Sequence, residues 1–345
     1  MDRVSPFAAE WVPTRVRWTE AGGMLDWCHL GDLRFTDPFF AQTIDRAMRH
    51  PFNLLFQRSS PLETLPEQTP ELRPAGLIFH MTRCGSTLVS RMLASLPTTL
   101  VLSEPPPVDQ VLRAPAGLPG VTTDRIVGWL RAVAGSLARR RHKDEREFVI
   151  KLDGWHAMAL PLIRRAFPDV PWAFLYRQPI EVLGSIGSMP PHQMLPGGID
   201  PALLGLSPPQ ASAMSLDRYA AVVLERICRA AIEHHARDSG LLIEYRELPN
   251  AVAERLLGHF GLDCDAETLA RMGEIARFDA KQPTLRYSDD SVAKRAAASP
   301  EMHELADTVL APRYAQLEKL RNAQDQSIAK ARPSRPITKQ GRGTG

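Results

Sequence analysis

Cysteine is scarce in this chain. Four occur in 345 residues, at Cys28, Cys84, Cys228 and Cys264, with no Cys-x-x-Cys pair. That spacing argues against a disulfide framework or a structural zinc site and suits a reducing compartment. No apolar run is long enough to span a bilayer, and the first residues, MDRVSPFAAEW, lack the continuous apolar stretch of a secretory signal. Cytoplasmic placement is the expectation. A charge excess of one sign is missing too. The net is +3, and residues 325–345 hold Lys330, Arg332, Arg335, Lys339 and Arg342 against Asp325, which leaves −1 for residues 1–324. So neutral a body excludes an electrostatic nucleic-acid surface. The basic excess belongs to a polar tail, residues 323–345, expected to be disordered.

What is present suits a globular chain. Hydrophobic residues make up 44% and charged residues 23%, enough for one large core. Residues 1–74 read as an N-terminal extension. Two short strands, Val12 to Trp18 and Met24 to Leu30, meet at a Gly-Gly turn, and Asp37-Pro38 reads as the cap and first residue of a helix over 39–49. Trp11, Trp18, Trp27 and Trp129 suit either a substrate mouth or aromatic packing against the rest. Residues 61–74, rich in proline, read as a linker.

From residue 75 strands and helices alternate. Strands are expected at Leu77–Phe79, Thr99–Ser103, Phe148–Leu152, Trp172–Tyr176 and Leu241–Glu244. Helices are expected after residue 86, over 124–141, 161–167, from 179, over 215–235, 249–260, 265–277 and 300–320. Prolines 105–107 stop the second of these strands, and residues 190–209 read as a long loop. The pattern implies a three-layer, P-loop-like α/β domain over 75–322. A parallel sheet of about five strands lies between helices, with a helical C-terminal part. Ligands of such sheets bind off the carboxyl ends of the strands. The loop 82–87, Glu104, Lys151–Asp153 and Arg177 all fall there.

The stretch Leu77-Ile-Phe-His-Met-Thr-Arg-Cys-Gly-Ser-Thr-Leu reads as strand, loop and helix. Backbone N–H groups and Arg83 at a helix N-terminus attract an anion, Gly85 permits close approach, and Ser86 and Thr87 add hydroxyls. The loop lacks the first glycine and the lysine of the nucleotide-triphosphatase pattern. A second anion-binding pair is Arg177 with Ser185, eight residues on and two turns along a helix that Pro179 opens.

Thr82-Arg-Cys-Gly-Ser-Thr87 and Arg177-x-Pro179 with Ser185 resemble the two phosphate motifs of the sulfotransferase family, nearer its bacterial and protein-tyrosine branches than its cytosolic small-molecule branch. The likeness extends over residues 75–260. It implies that Arg83, Cys84, Gly85, Ser86 and Thr87 hold the 5′-phosphosulfate of 3′-phosphoadenosine 5′-phosphosulfate. Arg177 and Ser185 would then hold its 3′-phosphate. Cys84 stands where the family has serine. Lys151-x-Asp153 stands where the cytosolic branch has Lys-x-His. The glycine-rich C-terminal phosphate segment is not recognisable, and Arg286, Lys294 and Arg295 are its candidate replacements.

Sulfuryl transfer spreads negative charge over the moving group and the departing phosphate, so cations and donors do the work and no metal is obligatory. Arg83 and Lys151 are the candidate cations. Glu104 is the candidate general base, with a pKa expected to be raised by apolar neighbours; Asp153 and His156 are its rivals. His192, Cys28, Cys228 and Cys264 read as structural. The acceptor is a hydroxyl or amine of a small molecule, glycan, lipid or peptide. Two other readings stay open: a P-loop kinase using ATP and magnesium, and a non-catalytic nucleotide-binding relative.

Overall fold

In the computed structural model residues 8–331 are described, apart from residue 21, residues 67–69 and residue 119. Five parallel strands form the central sheet: β4 (Arg73–His80), β5 (Thr99–Ser103), β6 (Glu147–Lys151), β7 (Trp172–Tyr176) and β8 (Leu241–Glu244), in the spatial order β5-β6-β4-β7-β8. Their central residues are buried on both faces, as unbroken apolar runs such as Leu77-Ile-Phe demand. From β4 the chain moves out toward β5, and from β7 it moves the other way toward β8. The carboxyl ends of β4 and β7 therefore flank the crevice where such sheets take ligands. In register, His80 lies opposite Leu175 across that crevice and Ser103 opposite Lys151.

Ahead of this sheet, β1 (Trp11–Thr19), β2 (Gly22–His29) and β3 (Arg58–Pro61) form a separate antiparallel sheet. The third strand, and the start of β4 at Arg73, occupy parts of the stretch expected to be a linker; residues 67–69 lie outside the described residues. The small sheet packs on the helix Pro106–Leu112: Trp18 Nε1 donates to the Gln110 carbonyl at 3.1 Å, and the Trp18 and Trp129 rings lie 5.2 Å apart. Aromatic packing therefore accounts for these two tryptophans.

Several local expectations need correction. The first helix is Phe40–Met48, because the Asp37 carboxylate accepts from Thr43 Oγ1 (2.6 Å) and pairs with Arg46 (3.0 Å) instead of capping. Prolines 105–107 do end β5, but Pro106 also begins a helix whose Val108, Val111 and Leu112 are buried. The long loop is broken by turns at His192–Met194 and Pro201–Leu204 and by the helix Pro208–Ser212. A further helix, Ser291–Ala297, follows a looped stretch. The last helix, Ala311–Ala331, runs through part of the expected disordered tail. Its polar residues are used: Gln324 accepts from the Leu242 N–H (3.1 Å) and donates to the Gly240 carbonyl (2.6 Å), covering the edge at β8. Residues 332–345 of that tail and residues 1–7 of the extension lie outside the described residues. Among the described residues no helix is long and apolar enough to cross a membrane.

Candidate functional site

Between β4 and the helix Ser86–Leu93 the backbone is left-handed at three residues: Thr82 (φ 67°), Arg83 (φ 51°) and Gly85 (φ 82°). Two of these are not glycine, and each such residue costs about 1–3 kcal/mol unless its surroundings enforce it. They are enforced. The Met81 N–H donates to the Leu175 carbonyl (3.0 Å), the Thr82 N–H donates to His80 Nδ1 (3.0 Å), and Cys84 Sγ donates to the same Leu175 carbonyl (3.2 Å). A left-handed residue after one that is not, as Gly85 follows Cys84, turns successive backbone N–H groups to one side, the conformation from which anion-binding nests are made. Gly85 has a second constraint: a Cβ there would lie 2.6 Å from Leu248 Cδ1 and 3.0 Å from the Tyr245 ring.

The substitution of cysteine for serine is explained by direction. Cys84 is fully buried, and burial pushes its thiol up to about 12. Its side chain fastens the loop to β7; what it has for a ligand is its backbone N–H. Arg83 donates one Nη to the Met189 carbonyl, while its Nε is buried with no partner among the described residues. Beside it the helix Ser86–Leu93 presents Ser86 and Thr87.

At the end of β5, Glu104 is also left-handed (φ 55°), and its N–H donates to the Lys151 carbonyl at 2.7 Å. Its Oε1 lies 2.6 Å from Lys151 Nζ and 3.5 Å from His80 Nε2. Because His80 Nδ1 accepts from Thr82, its proton sits on Nε2, facing Glu104. Burial opposes ionisation of Glu104, but Lys151 and His80 outweigh it and hold the carboxyl well below the usual carboxylate range. The expectation of a raised value was wrong: apolar and proline neighbours in the sequence do not reveal a lysine brought in from β6. Lys151 itself has no exposed surface; its ammonium contacts are Glu104, Ser103 Oγ at 3.3 Å and the Phe39 ring at 4.8 Å.

The rival carboxyl behaves oppositely. Burial, and then the Glu104 charge, push Asp153 up. Its Oδ1 accepts from the Gly154 N–H (2.6 Å) and from Gln193 (2.9 Å). His156 is turned away: its Nε2 meets Asp109 Oδ1 at 3.0 Å, and its Nδ1 accepts from the Asp153 N–H.

Arg177, buried, continues from β7. Its Nε donates to Glu181 at 2.7 Å, an Nη donates to Ser291 at 2.9 Å, and its guanidinium stacks 3.8 Å above the Tyr245 ring. Ser185 is buried on the helix Pro179–Ser188. At Gly184 a Cβ would strike the Lys294 carbonyl, so the helix Ser291–Ala297 packs close enough to bring Lys294 to the same cavity. Lys294 pairs with Asp290 (2.7 Å) and Arg295 pairs with Glu181. Arg286 is exposed and does not line the cavity, although its backbone bridges to Phe278, which does.

A cavity of about 450 Å³ gathers Arg83 to Thr87, Glu104, Asp153, Arg177 and Ser185. Lys151 and His156 do not line it. His80, Gln193, Tyr245, Phe278, Lys281 and Tyr287 do, and none of these was given a role from the sequence. His80 was in view, one position from the strand's expected end, and Tyr245 lies in Leu242–Leu248, a stretch that resembles the sulfotransferase family; Gln193, Phe278, Lys281 and Tyr287 lie in short turns and loops without a motif. A larger cavity of about 630 Å³, between β1, β2 and the helix Phe40–Met48, contains none of the motif residues. It has Trp27 on its wall, and the first cavity has none of the four tryptophans.

No protein-family profile matches the chain, and no curated protein matches it. Among solved structures it is similar to the sulfotransferase STF9 from Mycobacterium avium, at 14% identity over 76% of this chain and 80% of that one, with a TM-score of 0.41. It is similar to a sulfotransferase from Alicyclobacillus acidocaldarius at 14% identity over 72% and 96%, TM-score 0.42. The sulfotransferase domain of the curacin biosynthetic pathway shares 17% identity over 74% and 99%, TM-score 0.40.

Proposed function

We propose that this chain transfers a sulfuryl group from 3′-phosphoadenosine 5′-phosphosulfate to a hydroxyl or amine of a small molecule, glycan, lipid or peptide. The observation that supports this reading is one cavity lined by two candidate anion-binding groups, Arg83 in its left-handed loop and, an Nη 3.5 Å from the Arg83 carbonyl, Arg177 with Ser185. A donor whose ribose carries a phosphosulfate on O5′ and a phosphate on O3′ needs both. Backbone N–H groups of 83–87, with Ser86 and Thr87, hold the phosphosulfate; Arg177 and Ser185 hold the 3′-phosphate. Tyr245, already stacked on Arg177, and Phe278 line the same cavity and offer aromatic surface to a base.

In the reaction the acceptor oxygen or nitrogen attacks sulfur as the bond from sulfur to the bridging oxygen breaks. The bond's electrons remain on the departing phosphate, and the acceptor proton passes to a carboxylate. Two carboxyls whose pKa values are driven apart divide such work. Glu104, kept ionised by Lys151, is a weak base and acts as a fixed negative anchor. Asp153, driven up, is the better proton acceptor, and the base is assigned to it. Lys151 holds Glu104 in place.

Calorimetric titration tests the two-phosphate reading. 3′-Phosphoadenosine 5′-phosphate is expected to bind at least tenfold more tightly than adenosine 5′-phosphate, because the hydrogen bonds to a charged phosphate contribute about 1.5–3 kcal/mol each. Equal affinities would remove the second anion site.

A further inference from the structure

Arg83 has lost its expected companion: Lys151 is sealed behind Glu104 and does not reach the cavity. Yet the cations that line the cavity are unequal. Arg177 is bonded to Glu181, and Lys294 to Asp290. Among the described residues Arg83 forms no ion pair, and neither does Lys281, whose ammonium makes no hydrogen bond with any of them.

Lys281 is brought there by a built turn. Asp279 Oδ1 accepts from the N–H groups of Lys281 (2.9 Å) and Gln282 (2.7 Å), and the Asp279 N–H donates to the Leu285 carbonyl (2.8 Å). The base of the turn is tied twice. Arg91, on the helix that follows the anion loop, donates to the Asp279 carbonyl at 3.2 Å, and the Tyr287 hydroxyl lies 2.8 Å from that of Tyr245. An exposed lysine is thereby carried on a turn tied to the helix that follows the 82–87 loop and to Tyr245, on whose ring Arg177 rests.

Resting on the donor site proposed above, we infer that Lys281 is the second cation on the phosphosulfate end, supplying across from Arg83 the charge that the sequence had assigned to Lys151. As the sulfur–oxygen bond breaks, the electron pair collects on the bridging oxygen, and an ammonium beside it neutralises that charge. The electrostatic setting agrees. Desolvation, with repulsion from Arg83 and Lys151, pushes Lys281 down to about 8, opposed by Glu104 and Asp279. A polyanion in the cavity reverses that repulsion and restores the proton. His80, Glu104, Asp153, Asp290, Tyr245, Tyr287, Arg177 and Lys294 also border the cavity, so the variant must isolate the lysine.

The test is calorimetric titration with 3′-phosphoadenosine 5′-phosphate at pH 8 in two buffers of different ionisation enthalpy. Wild type is expected to take up a fraction of a proton on binding, as the ligand's negative charge restores the proton of the lowered Lys281. Lys281→Ala is expected to bind about tenfold more weakly with that uptake gone. Lys281→Arg should keep affinity, also without uptake, because its charge is permanent. Both variants change an exposed side chain, and unchanged melting temperatures verify their folding. Equal proton uptake and affinity in wild type and Lys281→Ala would overturn the assignment while leaving the donor site standing. No binding by wild type would remove the donor site and the assignment together.

Discussion

Lys151 Nζ lies 2.6 Å from Glu104 Oε1, with none of the lysine side chain exposed and about a quarter of the glutamate's. Removing one member of such a pair leaves the other charge buried. Glu104→Gln is therefore expected to destabilise the fold by about 3–5 kcal/mol in urea denaturation, and Glu104→Gln with Lys151→Met to recover much of the loss. The pH dependence has a definite sign. Glu104 is held below its ordinary value, so its contribution is complete above the unfolded carboxylate range near pH 4.3 and is lost as pH falls through the folded value. The stability gap between wild type and Glu104→Gln should shrink from pH 6 toward pH 3. A double variant as unstable as the single one would contradict the pairing.

Asp153 carries the base assignment. Asp153→Asn is expected to leave binding of 3′-phosphoadenosine 5′-phosphate within about threefold while slowing turnover of the phosphosulfate by about 10²–10⁴. In wild type, turnover should rise with pH as the elevated Asp153 carboxyl ionises, and the variant's profile should lack that step. Undiminished turnover in Asp153→Asn would return the role to another group.

At Gly85 the backbone, at φ 82°, disfavours any Cβ by about 1–2 kcal/mol, and Leu248 and the Tyr245 ring stand in its way. Gly85→Ala is expected to lower stability by at least that amount. It should also weaken binding of the bisphosphate nucleotide, since Tyr245 is the surface on which Arg177 rests. A variant with wild-type stability and affinity would show that the loop relaxes freely.

Cys84 should be inert. Its thiol is buried, raised to about 12 and bonded to Leu175, whereas Cys264 is partly exposed. Alkylation of the folded protein, read by mass spectrometry, should mark Cys264 first and Cys84 last. Cys84→Ser keeps a donor for the same carbonyl and is expected to change stability by less than about 1 kcal/mol. Early labelling of Cys84 would mean that its side chain faces the cavity.

The five parallel strands and the strand–turn–helix segments that hold Arg83 and Arg177 were legible because each is local: an apolar run, a turn and a helix adjacent in the chain. What escaped depends on distance in sequence. Lys151 and Glu104 are 47 residues apart, and nothing near either one foretells a 2.6 Å contact that inverts the expected pKa of the glutamate. His156 looked like a possible base until Asp109, from another helix, claimed its free nitrogen. Lys281 sits in a turn stabilised by its own Asp279, a pattern common to many surface loops; the contacts of Arg91 and Tyr287, distant in sequence from their partners, tie that turn to the cavity. The Gln324 contacts similarly turn an apparently featureless polar tail into a helix that covers the last strand.

The central claim is a cavity with two anion sites suited to a phosphosulfate donor, and thermal denaturation with two ligands tests it most directly. At a hundred times its dissociation constant, 3′-phosphoadenosine 5′-phosphate should stabilise the protein by about 2.7 kcal/mol, and Arg83→Ala should abolish the shift. Stabilisation by ATP with magnesium, and none by 3′-phosphoadenosine 5′-phosphate, would contradict the account.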